Sequence, residues 1–230
     1  MSNFYRRTLL CIIAVLAAVA AFAESFDAKV ASVILLQLKP VQKEIGLSEA
    51  QRTAMNKYAD AHRAKLKAYY EQLGNTKPSE QKLLGFFAVM KAGVISQLSA
   101  TQLKRLREIS LQALDFTALA DQAVANEVGL SASEESSLKS VVAEGVGKAN
   151  DIRNKAIGKA TSDIVKQRPK TDKERQTLED EYNRRAEAAT DQVAPQLNTI
   201  RDSTRRKVMA ILTSSQRAKW ESLLGKRFNM

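Results

Sequence analysis

Cysteine is almost missing from this chain: the single residue, Cys11, lies in an apolar run near the N-terminus. A disulfide framework and thiolate chemistry are therefore excluded for the remainder. Histidine is equally scarce, with His62 alone. Catalytic zinc usually takes three protein ligands, so a lone histidine on an apolar stripe reads as a core residue. Only four prolines and nine glycines occur in 230 residues. With few β-branched runs, little interrupts helices, and the chain reads as all-α. No glycine-rich phosphate loop, H-E-x-x-H motif or nucleophile elbow is present. Carboxylates such as Glu179-Asp180-Glu181 alternate with arginines on a face expected to be solvated. Paired acid/base groups need a cleft that shifts their pKa values, and nothing suggests one. Catalytic, cofactor-binding and metal-ligating residues are all expected to be none.

What is present is a repeated pentapeptide. Leu47-Ser48-Glu49-Ala50-Gln51 returns as Leu98-Ser99-Ala100-Thr101-Gln102, as Leu130-Ser131-Ala132-Ser133-Glu134 and as Leu212-Thr213-Ser214-Ser215-Gln216. Each is a helix start of the capping-box kind. The Ser or Thr hydroxyl accepts from the backbone N–H three residues on, and the Gln or Glu there reaches back. The preceding Leu can be buried as an anchor, although only Leu98 has an apolar staple partner, Leu103. Val41 to Ser48 aligns with Val124 to Ser131, and Val94 to Leu106 aligns with Val208 to Trp220. Two matched pairs in the same order point to tandem duplication. The expected repeats are residues 24–115 and 116–230. Each reads as a helical hairpin, with the second elongated into an antiparallel hairpin over about 131–212.

Repeated L-[ST]-x-x-Q helix starts in a basic, exported, all-helical chain resemble the Spy/CpxP family of periplasmic proteins. The matching positions are Leu47 to Gln51, Leu98 to Gln102, Leu130 to Glu134 and Leu212 to Gln216. Glu134 departs from the family's Gln while keeping the capping chemistry. The resemblance implies an all-helical framework, and a function among ATP-independent chaperones and envelope-stress regulators.

Export is read from the N-terminus. Arg6 and Arg7 precede an apolar run from Leu9 to Ala20, and Ala21-Phe22-Ala23 precedes Glu24. This is the pattern of a secretory signal, residues 1–23, cleaved after Ala23. The run is too short for a membrane span, which needs roughly 20 apolar residues. The formal charge is +11, to which Arg6 and Arg7 contribute two. Such a balance favours acidic partners. For an exported protein nucleic acid is the least available of these and is not an expected partner.

Within the first repeat, Val30 to Leu38 is apolar enough to be buried on most sides. From Ser48 the stripe Met55, Tyr58, His62, Leu66, Tyr69 and Leu73 shares one helical face. The return helix carries Leu83, Phe87, Met90, Val94 and Leu98, widened by Leu84 and Phe86, and is expected to be the more buried. Tyr58, Tyr69 and Tyr70 fit a core-and-rim role or a client-binding patch. In the second repeat a long helix is expected from Ser131 to Pro169, with Leu138, Val142, Val146, Ala149, Ile152, Ala156, Ala160 and Ile164 as its stripe. Its return run contains Pro195, which should kink it near Asp191 to Gln192.

Beside the long stripe runs a row of lysines, Lys148, Lys155, Lys159 and Lys166, and Lys170, Lys173 and Arg175 extend the charge across the tip. These seven residues are the candidate client-binding group, although such a row is also what a plain solvated face looks like. Three binding functions follow. The first is a nucleotide-independent holdase for unfolded or acidic proteins. The second is a regulatory domain docking one membrane-protein partner. The third is a structural protein on the anionic envelope surface. The apolar face of the hairpin is expected to meet a client, a second copy of the chain in a homodimer, or only its sister arm.

Overall fold

The computed structural model describes residues 25–74 and 76–229. The expected secretory signal and its Ala23 cleavage point lie outside the described residues. The fold is all-α, and no strand occurs among the described residues. In chain order the helices are α1 (Phe26–Val30), α2 (Lys39–Glu44), α3 (Glu49–Leu73), α4 (Glu80–Ile95) and α5 (Ala100–Leu114). Then follow α6 (Gln122–Val128), α7 (Ala132–Thr161), α8 (Asp172–Gln192), α9 (Ala194–Ile211) and α10 (Ser214–Leu224). Short 3₁₀ turns occupy Val33–Gln37 and Asp115–Ala120.

The chain forms two compact units, Met1–Ala118 with Lys219–Met230, and Leu119–Ala218. The first boundary falls close to the division at 115/116 drawn from the repeats. The segment from Lys219 onward groups with the first unit, whereas the repeat boundaries place it in the second.

The first unit is centred on α5. Leu103, Leu106 and Ile109 are fully buried and join Val41, Ile45, Met55, Val94, Ile95 and Leu98 in one cluster. Pro40 sits in the first turn of α2, where its missing N–H costs no helical bond. Two arginines on α5 hold the ends of the chain. Arg105 bonds Glu44 at 2.6 Å, Glu108 at 2.8 Å and the Lys226 carbonyl at 2.7 Å. Arg107 is buried, bonds Asp27 of α1 at 2.9 Å, and donates to the Leu223 carbonyl.

Two expectations for this unit are corrected. Val30 to Leu38 is not buried on most sides: it makes a 3₁₀ turn that buries Leu36 and leaves Ile34 and Leu38 exposed. Nor is α4 the more buried helix of its hairpin. Only Val94 and Ile95 are buried in it: α3 packs along one side, and large apolar residues of the helix stay exposed among the described residues. Leu84, Phe87 and Val89 are 62%, 54% and 56% exposed.

In the second unit, α7 packs against both α8 and α9. The expected kink is a full break at Val193, with Pro195 taken into the first turn of α9. The expected extent of α7 is also corrected: it stops at Thr161, not near Pro169. Beyond Thr161 the chain tightens into turns, with Ile164 N–H donating to the Thr161 carbonyl and Gln167 N–H to the Ile164 carbonyl, both at 3.0 Å. That turn buries Ile164. Arg185 of α8 completes the stop, meeting the Ala160 carbonyl at 3.4 Å and Asp163 at 3.0 Å.

The small residues of α7 differ in their surroundings. A Cβ on Gly145 would lie 2.3 Å from Thr204 Oγ1 and 3.0 Å from Thr204 Cβ, whereas Gly147 and Gly158 face open space. Gly147→Ala and Gly158→Ala are expected to stabilise by up to about 1 kcal/mol each through helix propensity. Gly145→Ala gains the same propensity but crowds α9 at the β-branched Thr204, where overpacking costs roughly 1–3 kcal/mol. A net loss near 1 kcal/mol is expected. Urea midpoints that move the same way for all three would show that α7 and α9 do not approach at Gly145.

Candidate functional site

The four pentapeptides are capping boxes. Ser48, Ser99 and Ser131 each accept from the N–H of Gln51, Gln102 and Glu134, whose side chains bond back to the cap N–H. Thr213 and Gln216 do the same at 3.3 and 2.8 Å. A fifth box, Thr171 with Glu174, starts α8. Its T-x-x-E pattern is visible in the sequence.

The caps also meet in pairs. Gln51 donates its amide to Gln102 Oε1 at 2.8 Å and to the Gln97 carbonyl at 2.7 Å. Gln102 returns a bond to Gln51 Oε1 at 3.1 Å and donates to the Gly46 carbonyl at 3.0 Å. In the second unit Gln216 donates to Glu134 Oε2 at 3.0 Å and to the Gly129 carbonyl at 2.9 Å. Gly46 and Gly129 are both left-handed, at φ 64° and 83°, so each can end its helix one residue before the motif. The Leu after each glycine then donates back to Gln42 or Ala125. Leu98 and Leu212 are buried, while Leu47 and Leu130 are half-buried. These motif residues are framework: their polar groups are spent on each other.

The surface with unspent apolar groups lies on the α3/α4 hairpin. Tyr58 and His62 of α3 stack at 6.3 Å, and His62 meets Phe86 of α4 edge-on at 5.6 Å. Tyr58 donates its hydroxyl to the Val89 carbonyl at 3.1 Å. Gly93 permits this crossing, since a Cβ there would lie 2.0 Å from Tyr58 Cζ. Tyr69 is buried against Phe86, with the Lys82 ammonium 4.8 Å from its ring centre. A cavity of about 680 Å³ opens between the helices, lined by Tyr58, His62, Lys65, Lys82, Gly85, Phe86 and Val89 among others. His62 is 7% exposed, and its Nε2 has no hydrogen-bond partner. The single histidine is thus a core residue, as its place on the stripe suggests, but an unsatisfied one. Composition alone could not show that. Tyr70 is exposed, with its ring centre 6.0 Å from that of Tyr69.

Of the expected lysine row, Lys148, Lys155 and Lys159 lie on α7, whereas Lys166 falls in the turns beyond its end at Thr161, so the four do not share one helix face. Lys148, Lys155, Lys159 and Lys166 are exposed, as are Lys170, Lys173 and Arg175. Lys148 is paired with Glu144, whose carboxyl it holds below the usual carboxylate range, and Arg175 lies 3.7 Å from Asp172. The apolar stripe beside the row is largely taken up by α8 and α9, leaving Val146 and Val165 as the exposed large apolar residues of the second unit. Glu181, from the acidic run on α8, is held down at about 2 by hydrogen bonds from Arg184 and Arg185, so it is fully ionised at neutral pH.

No family model, curated protein or solved structure matches this chain in comparison. Among the described residues, no helix is long and apolar enough to cross a membrane. Among the same residues, no three His, Cys, Asp or Glu side chains gather as metal ligands would.

Proposed function

We propose that the protein is an exported, nucleotide-independent holdase of the cell envelope, similar to the Spy/CpxP proteins, which retains unfolded segments on the outer face of α4. One observation carries this reading: Leu84 and Phe87, one turn apart, stay more than half exposed on a helix that buries only two residues. Contiguous exposed apolar groups on a soluble chain mark an interaction surface. Fully burying a Leu or Phe side chain against a client is worth about 1.5–3 kcal/mol each. Lys65 and Lys82 border the hairpin and favour acidic segments. The lysines of the hairpin tip add long-range attraction, since basic fields raise the encounter rate of acidic partners. Binding rather than catalysis is the activity such a surface supports. The secretory pattern of Met1 to Ala23 supports export, and the paired caps in both units support an origin by duplication.

The test is aggregation of several unrelated, chemically denatured proteins at near-equal molar ratio, without nucleotide. The wild-type chain is expected to suppress it, and Leu84→Ser with Phe87→Ser is expected to lose most of that suppression with unchanged helix content. Suppression equal to wild type would move the client surface elsewhere. A wild-type chain that suppresses nothing but retains one stoichiometric membrane-protein partner would favour a regulatory role.

A further inference from the structure

The cavity between α3 and α4 has a direction. At one end Tyr58 meets Val89, in the middle His62 meets Phe86 opposite Gly85, and at the other end Lys65 and Lys82 flank the opening. The antiparallel pairing of the two helices therefore grades the cavity from aromatic and aliphatic to cationic. Its volume, about 680 Å³, lies within the roughly 300–1,000 Å³ of small-molecule sites. A buried polar atom without a partner is rare and calls for a physical reason. Here the atom is His62 Nε2, in a ring that forms part of the cavity wall.

We propose that this cavity binds a single-chain amphiphile bearing a carboxylate, of the medium-chain fatty-acid class. The alkyl tail lies toward Tyr58 and Val89, against Phe86 and Gly85. The carboxylate lies at the cationic end between Lys65 and Lys82. Lys65 follows His62 by about one helical turn, so the same head group parts the Tyr58 and Phe86 rings enough to take a hydrogen bond from Nε2. Charge complementarity selects this occupant: a neutral alkane would leave Lys65 and the imidazole unused, and would give Lys82, now 4.8 Å from the Tyr69 ring centre, no countercharge. Lys65 and Lys82 border both surfaces, but the cavity does not include Leu84 or Phe87, and the proposal does not depend on a holdase activity.

The experiment is calorimetric titration of the full-length protein with monomeric dodecanoate, with dodecanol and with anionic phospholipid vesicles as separate arms, and no polypeptide client present. Saturable one-to-one binding of dodecanoate is expected, at least about tenfold tighter than dodecanol, the ratio equivalent to one charge-assisted contact. Gly85→Leu is expected to abolish it by filling the cavity. A Cβ at Gly85 meets nothing within 4 Å, so α4 should keep its fold. Lys65→Glu with Lys82→Glu should weaken dodecanoate at least about tenfold without changing dodecanol. His62→Phe keeps a ring of similar size and should weaken dodecanoate alone. The proposal is overturned by absence of saturable binding, by equal binding in Gly85→Leu, or by binding to vesicles but not to monomeric dodecanoate.

Discussion

Asp27→Ala is expected to destabilise the first unit by about 3 kcal/mol. Asp27 is an acidic partner of Arg107, whose side chain is 6% exposed while that of Asp27 is 30% exposed. Removing one partner of a buried ion pair typically costs about 3–5 kcal/mol, because the other charge is left uncompensated. Water reaches Asp27, so the low end applies. The Leu223 carbonyl keeps one hydrogen bond to the guanidinium, and the Phe26 ring lies 5.5 Å away, but neither supplies a countercharge. The double variant Asp27→Leu with Arg107→Met is expected to recover most of the loss, since apolar residues of similar volume can replace such a pair. Urea unfolding at constant m measures both. A single variant within about 0.5 kcal/mol of wild type, the range of ordinary surface changes, would mean that α1 is not held through Arg107.

This clamp was invisible in the sequence for a definable reason. Asp27 and Arg107 are 80 residues apart, and nothing in the local pattern marks either as buried. The helix caps were legible because their chemistry closes within three residues. Even Glu134, the one departure from Gln, was legible as a cap. The stripes of α3 and α7 were legible too, since a 3.6-residue period reports which face is apolar. Periodicity does not report what covers that face. That is why α4, with more large apolar residues than α3, was expected inside and is found half outside. Length misled at α7: nothing in Ser162 to Gln167 breaks a helix by propensity, and the stop depends on Ile164 turning inward and on Arg185 from another helix. The candidate site divides in the same way. Spacing placed Lys148, Lys155 and Lys159 on one helix but misplaced Lys166, which lies past the stop at Thr161, whereas the cavity beside His62 required the antiparallel register of α3 and α4.

The pairing of caps leads to a second large effect. Gln216→Glu is expected to destabilise the second unit at pH 7 and to do so less at pH 4. The amide of Gln216 donates both to the Gly129 carbonyl and to Glu134. A carboxylate at 216 donates to neither; the Gly129 carbonyl is exposed, so water replaces that donor and the loss falls mainly on the half-buried contact with Glu134. It also sets a second negative charge against the first, which disfavours ionisation of both. In the wild-type chain Glu134 is held below its ordinary value of 4.5, first by the Ser131 backbone N–H and then by the Gln216 amide. A depressed carboxylate contributes stability above its ordinary value and loses it as pH falls below. The variant reverses that sign, because two facing carboxylates raise the proton affinity of the folded state. Its deficit should therefore shrink as the pH is lowered from 7 toward 4. Glu134→Gln should instead recreate the arrangement of Gln51 with Gln102, staying near wild type at pH 7 and removing the contribution of Glu134 to the acid slope. Urea midpoints at several pH values decide the matter. A Gln216→Glu deficit that grows on acidification would show that the two side chains do not meet. If it shrinks, the Gln of each motif is chosen for its pairing as much as for its cap, and only one member of a pair can be Glu.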